Sequence, residues 1–314
     1  MAQRKIALVV SAVLTIAALS CIAIRGLNLG IDFKGGVLVE VVYPQTIELD
    51  KVRGDLAKGG YPDAVVQYFG GTADVLIRLL PKGGDTANAQ PGEIGKAVLD
   101  ALDATANKIQ LRRTEVVGPQ VGNELKQDGI LALLAAFGGI FLYVMVRFEW
   151  KFSLGSVAAL THDAIMTIGY LSLVQEEFDL TVLAGILAML GYSNNETIVI
   201  FDRIRENLLK LRQRTVPEVI NLSINQTLLR SIITHFTVLM VLSSLYFFGG
   251  KSVHGFAVAM IVGVIIATYS SIYVSSGVTV LLKLKRDDLL PLEEKDPKAA
   301  EAKKARAEND GAVV

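Results

Sequence analysis

Six apolar segments, each near the ~20 residues an α-helix needs to cross a bilayer, constrain this chain more than any other feature. They lie at about 6–24, 127–146, 153–174, 180–201, 229–248 and 253–282. In hydrocarbon every backbone N–H and C=O must be satisfied within the chain, so the segments are expected to be helices. With 52% of the residues apolar, a membrane protein is the expected class. The 31 Lys and Arg balance 31 Asp and Glu, which excludes a general attraction to nucleic acid.

The fourth segment breaks the apolar pattern. GYSNNETIVIFDRIREN at 191–207 places Asn194, Asn195, Glu196 and Thr197 where lipid-soluble residues belong. A carboxylate at membrane depth costs about 3 kcal/mol even on insertion scales, and chains that keep one use it to move protons, ions or substrate. The third segment carries Asp163 near its middle. On a helix Asp163, Thr167 and Tyr170 share a face, with His162 beside it. The alternative for each is hydrogen-bonded packing against a neighbouring helix.

Basic residues set the expected orientation. Arg4 and Lys5 precede the first segment, and Arg147 and Lys151 lie between the second and third. Arg203, Arg205, Lys210, Arg212 and Arg214 lie between the fourth and fifth, and Lys283, Lys285 and Arg286 follow the sixth. The opposite connections, QEEFD and GGKS, contain only Lys251. Both termini are therefore expected in the cytoplasm. A cleaved signal peptide, even lipid attachment at Cys21 within ALSC, is the alternative for the first segment, but the apolar run continues past Cys21. The single cysteine allows no intrachain disulfide.

The expected division is 1–29 (N-terminus and first span), 30–126 (outer domain), 127–282 (spans two to six) and 283–314 (charged tail, expected to be disordered). Within the outer domain, VLVEVVYP reads as a strand and IELDKVRGDLAKGG as a helix. AVVQYF and DVLIRLL read as strands around GGTA, GEIGKAVLDALDAT as a helix, and KIQLRRTEVV as a last strand. This βαββαβ order predicts a ferredoxin-like domain, with a flexible loop at 83–92. The fold class is thus α+β, six transmembrane helices with a small ferredoxin-like outer domain between the first two.

GIDFKGG at 30–36, with Gly30, Asp32, Gly35 and Gly36, resembles the opening signature of the SecD/SecF family, accessory subunits of the bacterial protein translocase. VGPQVGNEL at 117–125, HD at 162–163, the run at 191–207, INQTLLRSIIT at 224–234 and TYSSIYVSS at 268–276 also match, in family order. The single small outer domain is similar to the SecF branch. Asn194 departs from the apolar residue usual after GYS, and Glu196 stands where Asp is common. The resemblance implies an inner-membrane subunit paired with SecD and associated with the SecYEG channel. It also implies functional links to YajC, YidC and the ATPase SecA, and a translocating preprotein as cargo. It implies RND-like membrane architecture and protons as the coupling ion, with no other cofactor, no metal and no enzymatic chemistry.

On that basis the candidate proton-relay residues are Asp202 first, then Glu196 and Asp163, with Arg230 as the charge that alternately pairs with the carboxylate. Arg is always protonated and acts by shifting a neighbour's proton affinity. Asn194, Asn195, Thr197, Thr234, Gly263 and Ser271 are expected as polar or packing support. Gly255, Ala259, Gly263, Ala267, Ser271 and Ser275 form a small-residue ladder for close helix contact. His235 and His254 carry the side-chain type whose ordinary pKa lies nearest neutral pH, but are read first as hydrogen-bonding residues. An RND-type small-molecule or lipid exporter and a passive scaffold for SecD are the alternatives. An intramembrane serine protease using Ser193 would need His235 or His254 as its base. GKS at 250–252 lacks the first glycine of a P-loop, which disfavours an ATPase.

Overall fold

The computed structural model describes residues 4–69, 71–79, 91–103 and 107–289. The chain enters as α1 (Arg4–Arg25), turns at Gly26 (φ 68°), and lays down a two-residue strand β1 (Asn28–Leu29) and a one-turn helix α2 (Ile31–Lys34). Gly35 and Gly36, with φ of 72° and 132°, then redirect it into the outer domain. Only glycine takes such angles without strain.

The outer domain runs β2 (Gly36–Val42), α3 (Leu49–Lys58), β3 (Val65–Tyr68), β4 (Asp74–Leu79), α4 (Pro91–Ala101), β5 (Gln110–Val117). Its four strands pair antiparallel in the order β3-β4-β2-β5. Strand alternation sends Val37, Val39 and Val41 to one face, where they meet Val52 and Leu56 of α3 and Ile94 and Val98 of α4. Glu40 points to the other face and is buried by Arg112, whose Nη1 donates to Glu40 Oε1 at 2.8 Å. Each expected strand and helix of this unit is present within a few residues. The loop expected at 83–92 lies almost wholly outside the described residues, as does the tail from 290 onward.

The helical part comprises α5 (Pro119–Arg147), α6 (Trp150–Val174), α7 (Leu180–Lys210), α8 (Val216–Phe248) and α9 (Lys251–Ser270). A π-helical turn over Ser271–Ser275 then leads into α10 (Ser276–Leu281). Sharp caps define these helices. Pro119 opens α5, where its missing N–H costs nothing. Thr215 and Glu218 form a capping box on α8. Asp179 Oδ1 accepts from Val182 N at 2.7 Å, and Asp32 Oδ2 accepts from Leu180 N at 3.0 Å, so two carboxylates hold the start of α7.

Among the described residues, five stretches are long and apolar enough to cross a membrane: Arg4–Arg25, Pro119–Arg147, Trp150–Val174, Val216–Phe248 and Lys251–Leu281. The expected count was six. The fourth segment is a 31-residue helix, α7, but it falls outside the five. Its polar stretch from Ser193 to Thr197 lowers its apolar character, and tertiary burial compensates. One stripe of α7 (Val182, Ile186, Met189, Ser193, Glu196, Ile200, Ile204) is buried against its neighbours. By contrast α8 turns Ile233, Phe236, Met240, Val241 and Phe247 outward, at 54–73% exposure. Such a face suits lipid or a partner helix and would be costly in water.

Close approach depends on small residues. A Cβ on Gly263 would collide with Met189 Cγ, and one on Gly185 would lie 3.1 Å from Phe256 O. Those contacts dock α9 on α7. A Cβ on Gly169 would lie 2.9 Å from Ala18 Cα, which seats α1 on α6. Two features were absent from the sequence expectation. α5 begins at Pro119, so the expected domain border at 126/127 falls inside one helix. A parallel bridge joins β1 to β6 (Glu177–Phe178), tying the GIDFKGG segment to the α6–α7 connection.

Candidate functional site

Where α6, α7, α8 and α9 meet, the bundle holds two carboxylates out of solvent. Asp163 of α6 is fully buried. Its Oδ2 accepts from Ser193 Oγ of α7 at 2.6 Å and from Ser270 Oγ at the end of α9 at 2.8 Å. Its Oδ1 lies 3.1 Å from His162 Nδ1. Three helices therefore converge on one carboxyl group, which satisfies the rule that a buried charge needs partners.

Glu196 lies one turn further along α7 and is 7% exposed. Ser231 Oγ of α8 donates to its Oε1. Its Oε2 faces His235 Nε2 of α8 at 3.7 Å. The other ring nitrogen, Nδ1, lies 2.6 Å from Thr268 Oγ1 of α9, and the Tyr192 ring lies 5.3 Å from the imidazole, centroid to centroid. The two carboxylates share supports. Ser193 and Glu196 are three residues apart on α7, and Thr268 and Ser270 two apart on α9. A π-helical turn begins at the next residue, Ser271, whose Oγ donates to Thr268 O at 3.3 Å. Such turns recur at functional sites because they re-aim side chains on an otherwise regular helix.

The supporting residues divide. Asn194 is buried, and its Oδ1 accepts from Ser156 Oγ at 3.0 Å, so the departure from the family's apolar residue has a dedicated partner. Thr197 is buried, and its Oγ1 has no hydrogen-bond partner among the described residues. Asn195 is exposed and faces out of the bundle. Thr234 is exposed and donates to Arg230 O at 3.0 Å. Gly263 packs on Met189 as described.

Asp202 and Arg230 do not pair here. Asp202 is exposed at the basic end of α7, and Arg147 Nη2 of α5 donates to it at 3.2 Å. Arg230 is exposed, and its side chain makes no salt bridge or hydrogen bond among the described residues. The reason is helical phase. Glu196 lies on the buried stripe of α7, at three- and four-residue steps from Met189, Ser193 and Ile200, whereas Asp202 lies off it. The stripe was present in the sequence and is the signal that separates the two. Ser231, His235, Thr268 and Ser270, which complete the site, carry no comparable signal because their partners lie on other helices. Among the described residues Ser193 donates to Asp163 and to no histidine, and His254 sits near the start of α9, 4.0 Å from Glu176 Oε1. The protease arrangement is therefore absent among the described residues.

At the end of the bundle nearest the four-stranded sheet, Gly30 N donates to Phe178 O at 2.8 Å, and a Cβ on Gly30 would lie 3.1 Å from Glu177 Oε1. Arg78 of β4 pairs with Glu177, and Gln67 Nε2 donates to Glu177 Oε2 at 3.4 Å. Burial pushes the Glu177 carboxyl above its usual range, against the opposing pull of Arg78. Asp179 is likewise raised, chiefly by burial. A cleft of about 390 Å³ lined by Asp32, Gln67, Glu176, Glu177, Asp179 and His254 separates the sheet from the helix ends.

Residues 97–285 match the family described as protein export membrane protein SecD/SecF, C-terminal, and residues 22–45 match the SecD/SecF GG motif. The chain belongs to the SecD/SecF family. Within it, the similarity is to SecF. It is 48% identical over 298 residues to the protein translocase subunit SecF of Pseudomonas aeruginosa, covering 94% of this chain and 95% of that protein. Against SecF of Escherichia coli O157:H7 the identity is 43% over 282 residues, covering 90% and 86%. The crystal structure of SecDF from Thermus thermophilus, titled a translocon-associated membrane protein, superposes with a TM-score of 0.81 at 35% identity. It covers 90% of this chain, which spans 38% of that longer one. A second SecDF structure, in a super-membrane-facing form, gives a TM-score of 0.67 at 34% identity, covering 97% and 40%. The SecF-type chain is thus a subunit of the Sec protein-export machinery, a transport role.

Proposed function

We propose that this SecF-type subunit pairs with SecD in the bacterial inner membrane and uses the proton-motive force to promote preprotein translocation and release on the outer side. The observation that carries the proton assignment is the burial of Glu196 in mid-helix between Ser231 and His235. α7 serves as the sixth span, its polar stripe sheltered by α6, α8 and α9. The basic residues at one end of the bundle support cytoplasmic termini. The strand order and antiparallel pairing of the outer unit support a ferredoxin-like domain. SecD is supported as partner by the longer SecDF chains, of which this chain spans 38% and 40%. The SecYEG channel, SecA, YajC and YidC follow from the export role.

Glu196 replaces Asp202 as first candidate for the proton carboxylate, with Asp163 second. A solvated carboxylate beside Arg147 gains little from a change in protonation, whereas a buried one must find new partners when its charge changes. Protonated from the outer side, Glu196 is neutral and rests among hydroxyls. Deprotonated, it needs a cation. Arg230 lies next to Ser231 on α8, close enough in sequence to answer Glu196 or a SecD carboxylate after a helix shift. One charge crossing 100 mV supplies about 2.3 kcal/mol, roughly a fifty-fold bias on a two-state equilibrium. The test is preprotein export into SecD-containing membrane vesicles with and without an imposed proton-motive force. Glu196→Gln should lose the force-dependent increment while Asp202→Asn keeps most of it. The reverse ranking overturns the assignment.

A further inference from the structure

His235 has an atom that the described contacts leave unexplained. Among the described residues its buried Nε2 has no hydrogen-bond partner, and it points at Glu196 Oε2 from 3.7 Å. The other side of the ring is accounted for. Thr268 Oγ1 donates to Val264 O at 2.8 Å, so the same oxygen is left to accept from His235 Nδ1–H at 2.6 Å. That assignment places the proton of the neutral ring on Nδ1 and leaves the Nε2 lone pair facing the carboxyl group. A buried lone pair with nothing to accept is costly, and 3.7 Å exceeds hydrogen-bond length. A proton held between the two groups resolves both. Tyr192 of α7, Ser231 of α8 and Thr268 of α9 also contact the pair, and none of them is charged. Among the described residues no other carboxylate or cation contacts His235, and Arg230 lies on the exposed side of α8.

We propose that His235 and Glu196 form one proton-binding site, in which the coupling proton moves between Glu196 Oε2 and His235 Nε2. The inference rests on Glu196 being the proton carboxylate. In one form the O–H of a neutral Glu196 faces a neutral His235. In the other the O–H bond has broken, an N–H bond has formed at Nε2, and a carboxylate faces an imidazolium. Atoms and charge balance between the two forms, and no co-reactant is needed. Thr268 is the positioning residue: by accepting from Nδ1–H it keeps the Nε2 lone pair aimed at α7. Ser231 performs the same task for the carboxyl group. Because Ser231 and His235 lie on α8, the site assembles only while α7 and α8 are in register, so helix movement exposes or withdraws the proton.

Infrared titration of the full chain with SecD in phosphatidylglycerol-containing liposomes tests this. The carboxylic-acid band lost in Glu196→Gln identifies the group. In the native protein that band should titrate in two steps, as coupled groups do. His235→Asn keeps a donor for Thr268 but removes the Nε2 base, and should leave a single step displaced by about one pH unit or more. Thr268→Val, a milder change, should move the midpoint in the same sense by less. A single step with an unchanged midpoint in both variants overturns the shared site while leaving Glu196 in its role. An unaltered band and unaltered proton uptake in Glu196→Gln overturn the shared site together with the reading on which it rests.

Discussion

Asp163 provides the sharpest test of how the bundle is held together. It receives hydrogen bonds from Ser193, Ser270 and His162 inside a fully buried site. Asp163→Leu deletes the acceptor and leaves three donors facing an apolar side chain. Each stranded buried group costs about 1–3 kcal/mol. Ser270 Oγ recovers part of this, since Ala267 O is already only 3.3 Å away. The net loss should therefore be near 3 kcal/mol, roughly a hundred-fold in the folded-to-unfolded ratio. Removing the two serine donors as well should reverse part of it. Asp163→Leu combined with Ser193→Ala and Ser270→Ala replaces a severed polar cluster by an apolar one, and such replacements are near neutral. The assay is reversible unfolding in mixed micelles, read by circular dichroism. The triple variant should be more stable than the single one by at least about 1 kcal/mol, a sign of coupling rather than addition. Additive losses, with the triple variant least stable, would refute the claim that Asp163 acts through these partners.

Three further outcomes follow from other contacts. Gly263→Val drives a branched side chain into Met189 and should destabilise the α7–α9 pair by about 1–3 kcal/mol, measurable as a lower unfolding midpoint; Gly191→Ala, at an open position, should not. Asp32→Ala removes an acceptor from the start of α7 and should cost about 1 kcal/mol by the same assay. Glu177 has a carboxyl raised by burial, so the folded state binds its proton more tightly than the unfolded state. Its stabilising contribution is present below the ordinary carboxyl range and lost as pH rises through the raised value. Arg78→Gln removes the opposing charge and should move that loss to higher pH, as read from the pH dependence of unfolding.

Much of this architecture was legible in the sequence. The outer domain was readable because its strands alternate and its helices end at glycines, so Val37, Val39 and Val41 announce an inner face without any partner known. The helices of the bundle were readable from apolar length. What spacing alone did not deliver was which face of a helix points inward. Asn195 and Asp202 share a face, and so do Glu196 and Arg203, yet equal spacing does not say which pair is buried. The apolar stripe through Met189, Ile200 and Ile204 decides it, and Glu196 lies on that stripe. Contacts between distant segments were not legible at all. The β1–β6 bridge joins two-residue strands far apart in the chain, too short for any periodic signal. Thr268 and Ser270 lie between Ala267 and Ser271 of a small-residue ladder that reads as packing, and only the meeting of the helices turns their hydroxyls toward His235 and Asp163.

Proton uptake by the reconstituted SecD–SecF pair, followed by a trapped pH-sensitive dye while a preprotein is translocating, tests the central claim most directly. Native protein and Asp202→Asn should acidify the lumen at comparable rates once export begins, and Glu196→Gln should reduce the export-linked rate to that of vesicles without preprotein. Undiminished export-linked uptake in Glu196→Gln would contradict the assignment of the coupling proton to the buried site on α7.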